Sequence, residues 1–336
     1  MTLHAASTVA PNGARTERIR MLSSLQTGVL AALSHPGTWI IAIFVITATY
    51  IQYRGRVRLK LRRQIFDHST LTAPYNSLMY AFSTAPTTPY VDVGAFPQLK
   101  MLADHWQMLR EEGLKLLDEG HVKAAEKHND AGFRTFFRTG WKRFYLKWYD
   151  DPVPSAQALC PRATELVNRV PGLNAAMFTL LPPGAKLGAH RDPFATSLRY
   201  HLGLSTPNSP DCFIAVDGEP YWWKDGEGVV FDETYVHTAE NRTPTTRLIL
   251  LCDIERPLSN PLVRWINHFV GHRMVRAAAS PNQVGDKQGF LSTFFQYVHV
   301  VQTYGRRVKE WHYPTYWITK KILLLILLYG LYRLLF

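Results

Sequence analysis

The chain has 336 residues, 46% hydrophobic and 19% charged, which allows a sizeable core and excludes wholesale disorder. Its formal net charge of +12 suits an anionic partner such as a phosphorylated ligand or an acidic membrane surface. Three widely spaced cysteines, Cys160, Cys212 and Cys252, exclude a disulfide framework and a cysteine zinc cluster, and fit a reducing compartment.

Residues 1–37 read as a polar extension without an assigned role. Residues 38–53, "TWIIAIFVITATYIQY", carry no charge, and "YRGRVRLKLRR" follows with Arg54, Arg56, Arg58, Lys60, Arg62 and Arg63. An apolar run of this kind, short of the roughly 20 residues of a full span, reads as a transmembrane helix when a basic flank follows. The flank places the chain beyond residue 54 in the cytoplasm; a buried core helix is the alternative. Residues 54–172 form a juxtamembrane and helical region. Leu99, Leu102, Trp106 and Leu109, then Leu114, Leu116 and Leu117, recur at helical spacing. "GWKRFYLKWY" is expected as a helix with aromatics inward and basic residues solvated, and Lys142 and Arg143 are candidates for contact with an anionic substrate or the bilayer surface. "CPRATELVNRVPGL" opens a helix at Pro161 and stops at Pro171-Gly172.

Between 173 and 257 the pattern changes to strands. "AAMFTLLPPG", "SLRYHLGL", "CFIAVDGEPYWW", "GVVFDET" and "TRLILLCDI" are short, apolar or alternating, and separated by turn residues. Such spacing predicts a sandwich or barrel. Residues 258–315 are expected to be less regular, with a basic loop in "RMVRAAASPNQVGDKQGF". Residues 316–336, "TKKILLLILLYGLYRLLF" from Thr319 onward, predict a second membrane segment that spans or lies in the interface. The basic residues cluster beside apolar anchors rather than on a recognition helix, which argues against nucleic acid; no segment implies a protein partner.

The chemistry gathers around His190-Arg191-Asp192. With 13 histidines in the chain, a His-x-Asp pair is weak alone, and His128-Asn129-Asp130 is a second example that reads as a helix end or solvated surface. The first pair follows an apolar strand and a Pro-Pro-Gly turn. Residues i and i+2 of a strand point the same way, so an imidazole and a carboxylate reach one cation together. His237, expected at the end of a later strand, supplies a third ligand. Two histidines and a carboxylate suit non-haem Fe(II), with zinc as the alternative. In "SLRYHLGL" Ser197, Arg199 and His201 share one face, and inside a barrel they would line the cavity as donors to an anion. Arg247 opens another strand and suits a second carboxylate. That is the layout a small dicarboxylate such as 2-oxoglutarate needs, with one end at the metal and one on an arginine.

"HRDPFATSLRYHLGL", "FDETYVHTAEN" and "RLILLCDIERP" resemble the aspartyl/asparaginyl β-hydroxylase family of Fe(II)/2-oxoglutarate dioxygenases. "FDHSTLTAPYNSLMYAFSTAPTTPY", "AAEKHNDAGFRTFFRTGWKRFYLKWY" and "AAMFTLLPPGAKLGAHRDP" extend the likeness to its bacterial lipid A 2-hydroxylases, from about residue 38 onward. The resemblance implies an α+β chain with a double-stranded β-helix core of jelly-roll, cupin-like form. N-terminal helices precede that core and hydrophobic membrane segments flank it. It implies Fe(II) on His190, Asp192 and His237. It further implies 2-oxoglutarate held by Arg247 and Thr179 at its far carboxylate and by Arg199 and His201 near its chelating end. O2 is the second cosubstrate. The implied substrate is lipid A, hydroxylated at C2 of a secondary acyl chain, at the bacterial inner membrane with the catalytic part facing the cytoplasm. A protein Asp/Asn β-hydroxylase and a non-catalytic membrane-tethered β-barrel are the competing readings.

Overall fold

The computed structural model describes residues 12–123 and 136–336, so the pair His128 and Asp130 lies outside the described residues. Helix α1 (Asn12–Ser34) occupies most of the expected polar extension and leads into α2 (Pro36–Tyr53). By length and composition α2 is, among the described residues, the one helix able to cross a membrane. Three short helices follow, α3 (Leu61–Ile65), α4 (His68–Leu71) and α5 (Ala73–Phe82). Ile51 and Ala48 of α2 pack with Ala73, Met79 and Tyr80 of α5 in a small separate core.

The first residue of the basic run does not flank a bilayer. Arg54 turns inward, with Nη2 2.6 Å from Asp232 and Nη1 donating to Thr234 Oγ1 at 2.8 Å. Its guanidinium lies 3.7 Å and 3.9 Å from the ring centres of Tyr80 and Tyr235. Asp232 also meets Arg256 at 3.1 Å. A cation held between rings and a buried carboxylate is worth more here than in water, and it ties the end of α2 to the barrel. Asp217 adds a second tie by accepting from the backbone N–H groups of Arg56 and Val57 at 2.9 Å and 2.8 Å.

Ten strands lie among the described residues: β1 (Tyr90–Val91), β2 (Lys142–Trp148), β3 (Leu173–Leu181), β4 (Lys186–His190), β5 (Ser197–Ser205), β6 (Cys212–Val216), β7 (Glu219–Trp222), β8 (Gly228–Phe231), β9 (His237–Asn241) and β10 (Arg247–Glu255). They form two antiparallel sheets, ordered β1-β8-β5-β10-β3-β2 and β4-β9-β6-β7. From β3 onward the chain crosses back and forth between the sheets, which is the jelly-roll way of joining eight strands. "GWKRFYLKWY" is therefore an edge strand rather than the expected helix. Its period-two alternation sends Phe144 and Leu146 to one side and Tyr145 to the other.

Two cores follow from the same alternation. Leu248, Leu250, Cys252 and Ile254 of β10 join the outer core, on which α6 (Lys100–Asp104), α7 (Trp106–Asp118), α8 (Pro154–Leu159) and α9 (Pro161–Arg169) pack. Ile249 and Leu251 point between the sheets, into a core shared with Leu187, Ile214 and Ala239 of the smaller sheet. Strand β5 obeys the same rule. Leu198, Tyr200 and Leu202 lie in the outer core, and Arg199 and His201 are left to the space between the sheets.

The stretch after 257 is more regular than expected. Helix α10 (Pro261–Val270) is capped by Asn260, whose side chain accepts from Leu262 and Val263 N–H, and α11 (Phe290–Trp311) and α12 (Tyr313–Leu335) follow. The second membrane segment forms as the exposed helix α12, which carries Lys320, Lys321 and Arg333. Its end meets the start of α2. His35 stacks on Phe336 at 4.7 Å, and a Cβ on Gly37 would lie 2.4 Å from the Leu335 carbonyl oxygen.

Candidate active site

His190 ends β4, His237 begins β9, and the two are register partners across an antiparallel pair. That pairing brings their ring centres to 4.2 Å. Asp192, just beyond β4, is fixed by its own N–H donating to Glu233 O at 2.9 Å. Its Oδ1 lies 3.8 Å from His190 Nε2 and 4.0 Å from His237 Nε2, and the three ligand atoms fall within 4.8 Å of one another. Each imidazole places Nδ1 against a backbone carbonyl, Gly188 O at 2.7 Å and Tyr235 O at 3.0 Å. A proton on Nδ1 satisfies both contacts and leaves each Nε2 lone pair for a cation.

The electrostatics favour metal-ready forms. Burial, with the neighbouring His190, pushes His237 down to about 3, and burial lowers His190 as well. Both rings are therefore neutral at pH 7. Burial works against the charge on Asp192, but Arg199 and then the two histidines outweigh it and hold the carboxyl below its usual range. Arg199 donates from Nη2 to Asp192 Oδ2 at 2.9 Å and from Nε to Asp253 Oδ1 at 2.8 Å. That contact aims Oδ1 at the histidines. It also commits Arg199 to two carboxylates, where direct contact with the cosubstrate was expected.

His201 and Arg247 lie deeper between the sheets. Trp223 Nε1 donates to His201 Nδ1 at 3.3 Å, so the His201 proton sits on Nε2, which has no partner. Burial, then Arg199 and Arg247, keep this imidazole neutral. Arg247 donates from Nη1 to Thr179 Oγ1 at 3.0 Å, stacks over Trp223 at 4.4 Å, and leaves Nε unpartnered. No carboxylate pairs with it among the described residues, and burial pushes it down to about 10. These groups share one small cavity with His190 and His237. Two buried donors without partners call for an acceptor, and a carboxylate-bearing ligand fits that need. A larger groove of about 430 Å³, mostly apolar, reaches the triad through Asp192 and Arg199.

The structure brings together His190, Asp192, His237, Arg199, His201, Arg247 and Thr179. It does not bring Lys142 or Arg143 there as surface contacts. Lys142 is exposed on β2, whereas Arg143 is buried and donates to Ser280 Oγ at 2.7 Å and Pro281 O at 3.2 Å. Arg143 is thereby corrected from a candidate substrate contact to a structural tie. Sequence reasoning missed Trp223 and Asp253. Asp253 shares the parity of Arg247 along β10, which is a readable signal. Trp223 follows β7 in a loop and offers none.

A jelly roll that aims two histidines and one carboxylate at a single point has the donor set of non-haem iron oxygenases. Comparison with known proteins narrows the class. The family described as "Aspartyl/Asparaginyl beta-hydroxylase" matches residues 103–257. An "Ornithine lipid ester-linked acyl 2-hydroxylase" of Rhizobium tropici is 31% identical over 200 residues, which is 59% of this chain and 71% of that protein. The human "Aspartyl/asparaginyl beta-hydroxylase" is 25% identical over 178 residues, 52% of this chain but 23% of that protein. Among solved structures, a Pseudomonas putida prolyl-4-hydroxylase covers 46% of this chain and 88% of its own, at a TM-score of 0.32 and 20% identity. The chain belongs to the aspartyl/asparaginyl β-hydroxylase family.

Proposed function

We propose that the protein is an Fe(II)- and 2-oxoglutarate-dependent hydroxylase of a membrane lipid, acting at C2 of a secondary acyl chain of lipid A. It would work at the bacterial inner membrane, anchored by α2, with the double-stranded β-helix facing the cytoplasm. The observation that carries this reading is the pairing of the triad with a buried, carboxylate-free Arg247. Bound iron would supply oxidation of a C–H bond by O2, coupled to conversion of 2-oxoglutarate to succinate and CO2.

The chain's own residues divide the remaining work. His190, Asp192 and His237 would hold the metal. Arg199 orients Asp192. Arg247 and Thr179 bind the far carboxylate of 2-oxoglutarate, and the His201 Nε2 proton meets its chelating end. The +12 charge and the basic residues after α2 suit an anionic lipid. The rhizobial relative's name favours a second lipid, the ester-linked chain of an ornithine lipid. The human relative's name points to Asp or Asn side chains instead, on a protein of which this chain covers 23%.

Mass spectrometry of lipid A and ornithine lipid from cells expressing wild type or His190→Ala separates these readings. The expected result is a gain of one oxygen on lipid A with wild type only. A gain confined to ornithine lipid moves the substrate. The same gain with His190→Ala would refute the assigned site.

A further inference from the structure

The larger groove extends beyond the residues that would hold metal and cosubstrate. It shares Asp192 and Arg199 with the site and runs outward past Phe194, Val275 and Ala278 to Leu71, Met274 and Leu291. Its volume of about 430 Å³ lies within the roughly 300–1,000 Å³ typical of small-ligand pockets, and its lining is mostly apolar.

Its mouth is built from elements beside the membrane helix. Contacts join α4 to α2 and α10 to α5, and α5 itself packs on α2. Leu71 and Met274, which line the groove, are 74% and 48% exposed, and Phe66, Trp265, Phe269 and Phe290 on the adjoining chain are exposed as well. Arg62, Arg63 and Arg273 are interspersed with them. Apolar side chains mixed with basic ones, continuous with a spanning helix, are the composition of a surface that beds into anionic headgroups.

The inner end of the groove is different. There Tyr149 is buried, with its hydroxyl facing Thr196. Its backbone is in the left-handed region, at φ 50. A non-glycine residue held there is strained, and its surroundings must hold it in place. Tyr149, Thr196 and Ser197 line this end beside Asp192.

We propose that this groove is an acyl-chain channel opening at the bilayer surface, with Tyr149 as the positioning residue for the chain's carbonyl. The apolar chain lies along Phe194, Val275 and Ala278. The Tyr149 hydroxyl donates to the carbonyl oxygen, and C2, the next carbon, is then the methylene closest to the triad. The idea rests on the lipid-hydroxylase reading above and adds where the chain lies and why C2 is chosen.

The test uses the full chain in nanodiscs of anionic phospholipid, with lipid A substrates of two acyl lengths. Ala278→Phe narrows the channel and is expected to shift the long-to-short product ratio at least tenfold toward the short chain. Leu291→Trp, nearer the mouth, repeats the test should Ala278→Phe lose the thermal shift that 2-oxoglutarate gives wild type. Tyr149→Phe is expected to spread the new hydroxyl beyond C2 and to lower hydroxylated lipid per succinate severalfold. A purely structural role would lower both products together.

Photo-crosslinking needs no turnover. A phospholipid with a diazirine in its chain is expected to label the Leu71, Met274 or Leu291 peptides. Unchanged length ratios and C2 selectivity in active variants, or labelling confined to α2 and α12, would overturn the channel. Groove labelling by a protein that hydroxylates no lipid would overturn the proposed activity and keep the channel.

Discussion

Replacing Arg247 by methionine separates ligand binding from folding, because the two respond in opposite directions. The guanidinium is buried, and its pKa falls from the ordinary 12.5 to about 10 because burial penalises the charge. At about 1.4 kcal/mol per tenfold change, holding that charge costs the folded state about 3 kcal/mol at pH 7. Methionine fills the space without a charge. It forfeits the bond to Thr179 Oγ1 and the stacking on Trp223, worth about 1 kcal/mol each. The ligand-free variant should therefore unfold within about 1 kcal/mol of wild type. Binding of 2-oxoglutarate should collapse. Two charge-assisted hydrogen bonds at about 1.5–3 kcal/mol each correspond to a loss of roughly 10²–10⁴-fold in affinity. The assay is denaturant unfolding of the detergent-solubilised chain, with calorimetric titration of 2-oxoglutarate in the presence of Mn(II) or Zn(II). An unchanged affinity, or a ligand-free destabilisation above about 3 kcal/mol, would refute a ligand-facing arginine.

Three further outcomes follow from the same geometry. Asp232→Asn leaves Arg54 and Arg256 buried without their shared carboxylate, so it should destabilise the chain by about 3–5 kcal/mol in denaturant titration; a loss under 1 kcal/mol would mean the cluster is solvated. Below pH 6.5 the unfolded chain protonates His237 and the folded one does not, so its contribution is complete above pH 6.5 and is lost as pH falls toward about 3. Unfolding of metal-free protein at pH 7, 6 and 5 should show a slope of up to about 1.4 kcal/mol per pH unit from this group, absent in His237→Gln; parallel profiles would sink the assignment. Arg199→Gln releases Asp192 Oδ2, so the carboxyl pKa should rise and divalent-metal affinity at pH 6 should drop about tenfold or more, read by equilibrium dialysis. Equal affinities would show that Arg199 does not orient the ligand.

The alternating strand at 197–205 was the most legible part of the chain. A period of two gave Arg199 and His201 one face and Leu198, Tyr200 and Leu202 the other, and only the enclosing sheet decides which face is inside. Here the apolar face meets α7 and its neighbours, and the polar face meets the ligand cavity. Residues 141–150 misled for a related reason. Aromatic and basic residues in close succession fit a helix and an edge strand alike, and the pairing of β2 with β3 that settles the matter is non-local. The stretch after 257 misled by composition, since α10 is amphipathic but turns Leu262, Trp265 and Phe269 outward. Exposed apolar residues on a short helix carry no signal until the membrane helix is seen beside them.

The basic run after α2 shows how a sequence rule and a structure divide one feature between them. Counting positive charges beside an apolar segment gives orientation, and that count treats six residues as equivalent. The structure does not. Arg54 is consumed by Asp232, Thr234 and two tyrosine rings, and Arg63 donates to Ala189 O at 2.6 Å, next to His190. The run is thus both flank and strut. Asp232 and Thr234 lie on the turn between β8 and β9, just before His237. The end of α2 is therefore hydrogen-bonded to chain adjoining both histidines of the triad. If α2 spans the bilayer as proposed, an acyl chain leaving it beside α2 would meet a site whose position relative to the membrane is fixed by those bonds rather than by a flexible linker. Lengthening the connection between Tyr53 and Arg54 by a Gly-Ser insert should then lower hydroxylation of bilayer-embedded lipid at least tenfold. Succinate formation with a detergent-dispersed short-chain lipid should be nearly unchanged. Equal losses in both assays would show that the strut supports the barrel's folding and not its distance from the membrane.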